Sequence, residues 1–198
     1  MHTDQENFWL SDFGGEYIER SPGDLTSNLA FFTKALRSIQ PIKDMIEFGA
    51  GTGANITAIG ALMPKVFMHS VELNPQAVAK QPKYVTKHAG SMFDVEVDNY
   101  DLVLTKGLLI HIHPDHIQRA YNILYHASDR YILLCEYYNP RLVMVPYRGH
   151  IDKLWKRDFA GEMLDKFKDL RLIDYGFTYH RDLHWPQDDV TFFLMEKQ

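Results

Sequence analysis

The chain has 198 residues, of which 45% are hydrophobic, enough to build one large core in a single domain, residues 1–198. Its formal net charge is −5 with both signs spread along the sequence, and the absence of a basic tract disfavours nucleic acid as a substrate. The single cysteine, Cys135, lies in an apolar run typical of a core, so neither disulfides nor zinc fingers are expected. No apolar stretch has signal-peptide or membrane-spanning character, which predicts a cytoplasmic protein without membrane contact.

The first 40 residues are predicted to form a helical lid. Aromatic residues are mixed there with acids and Arg20 at a density that usually packs onto another surface. They could cover the edge of a sheet, or close over a ligand so that Trp9 or Tyr17 excludes water. Apolar positions at helical spacing predict a helix over 25–39, with Thr26, Ser27 or Asn28 as its cap.

Residues 41–137 alternate between strands and helices. This alternation predicts a parallel, doubly wound sheet that binds its ligand beyond the carboxyl ends of the strands. Strands are expected from about residue 43, over 66–73, near 84–87, over 99–105 and over 130–137. Helices are expected over 54–62, in a short segment from residue 75, and over 114–127.

The last 61 residues depart from this alternation. Residues 138–168 form a polar and aromatic insertion, which we expect to overhang the ligand site. Within residues 169–198, the runs 170–179 and 190–196 have no helix between them and are predicted to pair as an antiparallel hairpin. The expected fold class is therefore α/β, with a doubly wound, mostly parallel seven-stranded sheet closed by a C-terminal hairpin.

A glycine turn follows the first strand. Glu47, Gly49, Gly51 and Gly53 stand at alternate positions before a helix, and glycines let the backbone approach a ligand where a Cβ would collide. The spacing differs from the G-x-G-x-x-G of dinucleotide-binding folds. About 20 residues beyond the turn, Glu72 ends the second strand, where an acid can accept hydrogen bonds from both hydroxyls of a ribose.

This row and its context resemble the first motif of class I S-adenosylmethionine-dependent methyltransferases. The resemblance implies S-adenosylmethionine as the cofactor and S-adenosylhomocysteine as the product, with Gly90–Asp94 near the adenine and Thr105–Gly107 near the transferred methyl group. The residues assigned to the cofactor are Trp9, Tyr17, Arg20, Glu47, Gly49, Gly51, Gly53, Asn55, Glu72, Leu73, Gly90, Ser91, Met92, Thr105, Lys106 and Gly107.

The acceptor chemistry is expected beyond the fourth and fifth strands. Methyl transfer requires an in-line approach and, for a protonated acceptor, a base, for which His111 is the leading candidate unless it is a structural histidine bonded to a carbonyl. His113 and His116 continue the row, but Pro114 between them should turn the side chains apart, so no metal is expected. The catalytic candidates are His111, His150 and Arg148, and the acceptor candidates are Tyr17, His111, Tyr137, Tyr138, Tyr147, Arg148, His150 and Arg157.

Longer strings from about Phe8 to Lys197 resemble the pseudaminic acid biosynthesis-associated methylase family. This resemblance implies methyl transfer to O or N of a small, polar metabolite that we expect to be anionic, such as a nonulosonic acid or a nucleotide sugar in surface-glycan biosynthesis. Other small-molecule acceptors, a nicotinamide-dependent oxidoreductase and a non-catalytic binding protein stay open, as do a monomer and a homodimer. The strings are Phe8-Trp, Phe13-Gly, Glu16-Tyr, Arg20, Thr105-Lys-Gly, Ile110-His-Ile, Glu136-Tyr-Tyr-Asn-Pro, Tyr147-Arg-Gly-His, Asp152, Lys156-Arg-Asp-Phe-Ala-Gly-Glu, Asp174-Tyr-Gly-Phe and Pro186-Gln-Asp-Asp.

Overall fold

The computed structural model describes residues 2–20 and 23–198 and has the expected α/β architecture. The strands are β1 (Asp44–Phe48), β2 (Phe67–Glu72), β3 (Thr86–Ala89), β4 (Tyr100–Lys106), β5 (Ser128–Glu136), β6 (Val143–Met144), β7 (Trp155–Lys156), β8 (Leu170–Phe177) and β9 (Thr191–Lys197). The helices are α1 (Asp4–Leu10), α2 (Asp12–Arg20), α3 (Leu25–Ala35), α4 (Ala54–Leu62), α5 (Pro75–Lys80), α6 (Ile117–His126) and α7 (Phe159–Lys166). None of these helices has the length and apolar character needed to cross a membrane.

Seven strands form one sheet in the order β3-β2-β1-β4-β5-β9-β8. The first five pair in parallel, while β9 runs antiparallel to both β5 and β8. The predicted fold class and the closing antiparallel pair are therefore confirmed. Strands β6 and β7 form a separate two-stranded ribbon within the predicted insertion.

The core lies on both faces of the sheet because successive side chains of each buried strand point to opposite sides. In β1, Ile46 and Phe48 belong to one buried cluster, whereas Met45 belongs to the other. This burial on both faces is typical of parallel strands and explains the continuous apolar runs within β4 and β5.

Some predicted boundaries were wrong. The helix expected over 114–127 begins as a separate 3-10 turn, Pro114–His116, and becomes α-helical only at Ile117. The third strand lies at Thr86–Ala89, two residues later than expected, and Asp24 caps α3 by accepting hydrogen bonds from the first turn. These differences leave the order of elements unchanged.

The two N-terminal helices lie across the carboxyl edge of the sheet. Thr3 and Glu6 form a reciprocal capping box that starts α1. The end of α1 is tied to the sheet because Asn74 Nδ2 donates a hydrogen bond to the Trp9 carbonyl oxygen at 3.1 Å. A Cβ on Gly14 would stand 1.9 Å from that carbonyl oxygen, so the close packing of α2 on α1 requires glycine there.

Candidate active site

A cavity of about 830 Å³ opens beyond the carboxyl ends of β1 to β4, which is where doubly wound sheets bind their ligands. Its size is ordinary for a small-molecule or cofactor site. The cavity is lined by turn residues, a carboxylate and a lysine, which come from the ends of four strands. Of the residues predicted to bind the cofactor, those that line the cavity are Trp9, Tyr17, Gly49, Gly51, Asn55, Glu72, Leu73, Gly90, Ser91, Met92, Lys106 and Gly107.

The glycine turn is held open by its backbone conformation and by Glu72. Gly49 and Gly51 have φ values of 72° and 54°, which side chains with a Cβ rarely adopt. Glu72 Oε2 accepts a hydrogen bond from Gly51 N at 2.7 Å, and its Oε1 accepts one from Asn74 N at 2.8 Å. Burial raises the pKa of Glu72, and these backbone donors oppose that rise. The remaining lone pairs of the carboxylate are available to a ligand in the cavity.

Beneath the turn lies a buried charged cluster. Glu47 is fully buried and its Oε1 accepts a hydrogen bond from Asn55 Nδ2 at 2.7 Å, while burial raises its pKa to about 7. Lys106 Nζ lies 3.3 Å from Asn28 Oδ1 and 3.4 Å from Asn55 Oδ1, and burial lowers its pKa. Lys106 and Asn55 line the cavity, but Glu47 does not, so Glu47 supports the turn from below.

His111 combines burial, a fixed tautomer and access to the cavity. Its Nδ1 lies 2.7 Å from the Lys153 carbonyl oxygen, which only accepts hydrogen bonds, so Nδ1 carries the proton. Nε2 is then a lone-pair acceptor, and within residues 2–20 and 23–198 it has no hydrogen-bond partner. Burial lowers the pKa of His111 to about 4, which keeps the imidazole neutral near pH 7. The expected bond to a carbonyl is therefore present and His111 also lines the cavity, while its role as a base stays a prediction.

Glu136 fixes the loop that presents His111, a role that sequence reasoning missed. Its carboxylate is buried and accepts hydrogen bonds from the backbone nitrogens of Leu108, Leu109 and Ile110, which open the 3-10 turn ending at His111. Burial raises the pKa of Glu136 to about 7. Thr105, predicted to touch the cofactor, is instead fully buried, and its hydroxyl donates a hydrogen bond to Glu136 Oε1 at 2.9 Å.

Aromatic side chains roof the cavity above His111. The Trp9 ring lies 4.8 Å from the His111 ring and 5.2 Å from that of Tyr17. On the other side, the Tyr147 ring lies 5.0 Å from the imidazole. Arg20 does not line the cavity, because its guanidinium lies outside it, 5.8 Å from the centroid of the Tyr17 ring. Trp9 and Tyr147 thus pack beside the His111 ring, and Tyr17 packs against Trp9.

The insertion and the β8–β9 connection supply another wall of the cavity. Tyr147 and Arg148 reach it from the insertion, and Pro186–Asp188 reach it from the connection. The Tyr137 hydroxyl, at the end of β5, donates a hydrogen bond to Asp188 Oδ2 at 2.9 Å. This wall carries one guanidinium, one carboxylate and several phenol groups, so it is suited to a polar acceptor.

Three predicted acceptor residues are not brought to the cavity. Arg157 is largely buried and pairs with Glu162, so its guanidinium is not available to a ligand. Tyr138 packs against Phe193 on the outer side of the sheet. His150 packs against the rings of Phe8 and Phe13, at 4.9 and 5.4 Å, and thereby holds the insertion to the lid.

Gly53 also stays outside the cavity, where its φ of 80° allows the chain to enter α4. His113 and His116 do line the cavity, with ring centroids 6.3 Å apart. In the part of the chain that the structure describes, no three His, Cys, Asp or Glu side chains come close enough to hold a metal ion.

Comparison with known proteins agrees with this architecture. The family model described as an O-methyltransferase domain matches residues 26–134, more than half of the chain. No curated protein matches the sequence. The fold superposes on mitomycin 7-O-methyltransferase MmcR with a TM-score of 0.72 and 16% identity, over 99% of this chain and 61% of that one. The chain thus spans about three fifths of the length of the mitomycin enzyme.

Two further solved structures match nearly the whole chain. The Burkholderia thailandensis 1,6-didemethyltoxoflavin-N1-methyltransferase, crystallised with its substrate and S-adenosylhomocysteine, gives a TM-score of 0.69 at 14% identity, covering 98% of this chain and 87% of that one. The magnesium protoporphyrin IX methyltransferase ChlM of Synechocystis, also with S-adenosylhomocysteine, gives 0.66 at 13%, covering 98% of both chains. Likeness at these identities establishes the shared fold.

The seven-stranded sheet thus has the Rossmann-like fold of these methyltransferases. The chain belongs to the O-methyltransferase domain family.

Proposed function

We propose that this enzyme transfers a methyl group from S-adenosylmethionine to an oxygen of a small polar metabolite, with His111 as the general base. The observation that carries the proposal is the fixed tautomer of His111, whose proton is committed to the Lys153 carbonyl while Nε2 faces the cavity. A neutral imidazole beside an acceptor hydroxyl can take up the proton that the hydroxyl must lose during methyl transfer.

The residues of the cavity fit the cofactor at one end. Glu72 presents carboxylate lone pairs for the ribose hydroxyls, and Gly49 and Gly51 present open backbone for close approach. Ser91 and Met92 follow β3, where the adenine ring would lie, and Lys106 supplies a buried positive charge near the glycine turn. When bound, S-adenosylmethionine supplies an electrophilic methyl group on a sulfonium centre.

The chain's own residues then position the acceptor. His111 Nε2 accepts the hydroxyl proton as the acceptor oxygen bonds to the methyl carbon and the carbon–sulfur bond breaks, leaving S-adenosylhomocysteine and a methyl ether. Trp9 and Tyr17 exclude water from this step, which supports the interpretation of residues 1–40 as a lid.

For the acceptor, we propose a nonulosonic acid or a nucleotide sugar of surface-glycan biosynthesis. Support comes from the resemblance of the long sequence strings and from the polar wall of Tyr147, Arg148 and Asp188. A hydroxyl of an aromatic natural product is the second candidate, because aromatic rings surround His111 and because the mitomycin 7-O-methyltransferase shares the fold.

The test is transfer of labelled methyl from S-adenosylmethionine to panels of sugar acids, nucleotide sugars and phenolic acids. His111→Gln should lower the turnover of any accepted hydroxyl about 10²- to 10⁴-fold, the usual contribution of a general base. His126→Gln, at an exposed histidine outside the cavity, should keep full activity. Undiminished turnover in His111→Gln would show that His111 is not the general base. Methylation of phenolic acids but of no sugar acid or nucleotide sugar would show that the acceptor is not a sugar.

A further inference from the structure

We propose that Tyr17, Tyr147 and Arg148 form a subsite for an oxyanion of the acceptor, and that this subsite selects acceptors whose reacting hydroxyl lies within about one sugar ring of that oxyanion. The inference rests on the proposed function and adds to it the group that determines specificity. The shared ligand chemistry is a carboxylate or a phosphate.

The first observation is the strained turn that carries Arg148. The backbones of Tyr147 and His150 exchange hydrogen bonds at 2.8 and 2.9 Å, which closes a two-residue hairpin turn. Arg148 and Gly149 occupy its centre with φ values of 49° and 85°. Such a turn requires positive φ at both positions and favours Asn or Gly at the first, so arginine there is a locally unfavourable choice. Strain of this kind is retained where the side chain serves the site.

The second observation is that Tyr17, Tyr147 and Arg148 line one cavity and lack protein partners within the described residues. Within residues 2–20 and 23–198, neither the Tyr17 nor the Tyr147 hydroxyl forms a hydrogen bond, and Arg148 pairs with no carboxylate. All three line the same cavity. The pKa of Tyr17 is raised by burial and by the nearby Tyr147 and Asp188, whereas the charge of Arg148 lowers it, so these groups lie close enough to interact.

A guanidinium and two hydroxyls around one position form a strong oxyanion site, because hydrogen bonds to a charged acceptor are about twice as strong as neutral ones. Lys106 is the other cation lining the cavity, but its ammonium is held at the glycine turn by Asn28 and Asn55. We therefore assign Lys106 to the cofactor end and Arg148 to the acceptor end.

The spacing restricts the acceptor. Arg148 Cζ lies 5.9 Å from the Tyr147 ring centroid, and that centroid lies 5.0 Å from the His111 ring. The sum of these two distances sets an upper limit of about 11 Å on the separation between the Arg148 guanidinium and the His111 ring. Ordinary hydrogen-bond contacts at both ends then leave at most roughly 3–5 Å between the oxyanion and the reacting oxygen. A hydroxyl and an acid group on the same sugar ring, or on adjacent carbons, satisfy this limit.

The test is calorimetric titration of the S-adenosylhomocysteine-saturated protein with sodium oxalate and, separately, with inorganic phosphate. Either anion should bind the wild-type protein, and the arm with tighter binding identifies carboxylate or phosphate chemistry. Arg148→Asn should weaken that binding at least about tenfold, since it removes a charge-assisted pair. Arg141→Asn, which removes the same charge from an exposed position outside the cavity, should not.

Thermal unfolding separates a binding role from a structural one. Asparagine suits the first position of this turn, so Arg148→Asn should raise the melting temperature by about 2–4 °C even as anion binding is lost. A fall in melting temperature together with unchanged anion binding would show that Arg148 serves packing and would overturn the proposal.

Two other outcomes would also overturn it. One is that neither oxalate nor phosphate binds the wild-type protein, although this protein binds S-adenosylhomocysteine. The other is a tenfold loss of S-adenosylhomocysteine affinity in Arg148→Asn, which would assign the guanidinium to the cofactor's own carboxylate. Failure of the wild-type protein to bind S-adenosylhomocysteine would instead refute the proposed function, so the two failures are distinguishable.

Discussion

Replacing His111 with glutamine should change how the stability of the protein depends on pH. In the folded protein, burial holds the pKa of this imidazole at about 4, against an ordinary value of 6.5. The unfolded chain therefore binds the proton more tightly than the folded chain does. The contribution of His111 to stability is complete above pH 6.5 and is lost as the pH falls toward 4.

The difference between these two pKa values corresponds to about 3 kcal/mol. Glutamine can still donate a hydrogen bond to the Lys153 carbonyl but cannot take up a proton. Urea denaturation of both proteins at pH 7, 5.5 and 4.5 measures the effect. The wild-type protein should lose more stability than His111→Gln over this range, by about 2–3 kcal/mol at the lowest pH. Equal losses in the two proteins would show that His111 is not buried as a neutral base.

Three further substitutions test the supports of the site. Burial raises the pKa of Glu136 from 4.5 to about 7, so the contribution of its protonated carboxyl to stability is present below pH 4.5 and is lost as the pH rises through 7. In urea denaturation, the stability of Glu136→Gln relative to the wild-type protein should therefore improve by about 3 kcal/mol between pH 4.5 and 8. A stability difference that stays constant over this range would refute the burial argument. A Cβ at Gly49 would lie 2.9 Å from Leu108, whereas one at Gly51 would meet nothing within 4 Å, so Gly49→Ala should lose more stability than Gly51→Ala, each carrying about 1–2 kcal/mol of backbone strain. Equal melting temperatures for the two alanine variants would contradict this packing.

The cofactor end of the site could be predicted because its signals are local in sequence. Glycines at alternate positions between an apolar strand and a helix require one kind of turn, and Glu72 follows at the end of the next strand. Helix α4 lies at Ala54–Leu62, as its pattern predicts, because Gly53 and Pro64 bound it clearly.

The supporting contacts could not be predicted because they depend on pairing between distant strands. Nothing in the sequence marks Glu136, at the end of β5, as a support for another loop, but parallel pairing of β4 with β5 carries it beneath the loop before His111. Arg157 looks like a free guanidinium until α7 forms and places Glu162 beside it. Only the structure distinguishes Arg148, an exposed residue that lines the cavity, from Arg157, which pairs with Glu162.

The boundary errors have local causes. Asp24 precedes the apolar pattern of α3 by one residue, and a capping residue lies outside the helical period that reveals the helix. Pro114 suits the first turn of a helix, yet the first turn here is a 3-10 turn in which His113 Nδ1 accepts a hydrogen bond from Asp115 N. Apolar periodicity predicts which segments are helical but not the geometry of their first turn.

The central claim is that the cavity holds S-adenosylmethionine through the carboxylate of Glu72. Calorimetric titration with S-adenosylhomocysteine, on the wild-type protein, Glu72→Gln and the exposed control Glu96→Gln, tests it most directly. Loss of the charge-assisted ribose contacts should cost about 2–4 kcal/mol, or about 30-fold to several hundred-fold in affinity, while the control binds as wild type. Equal affinity in Glu72→Gln, or no binding to the wild-type protein, would contradict the account.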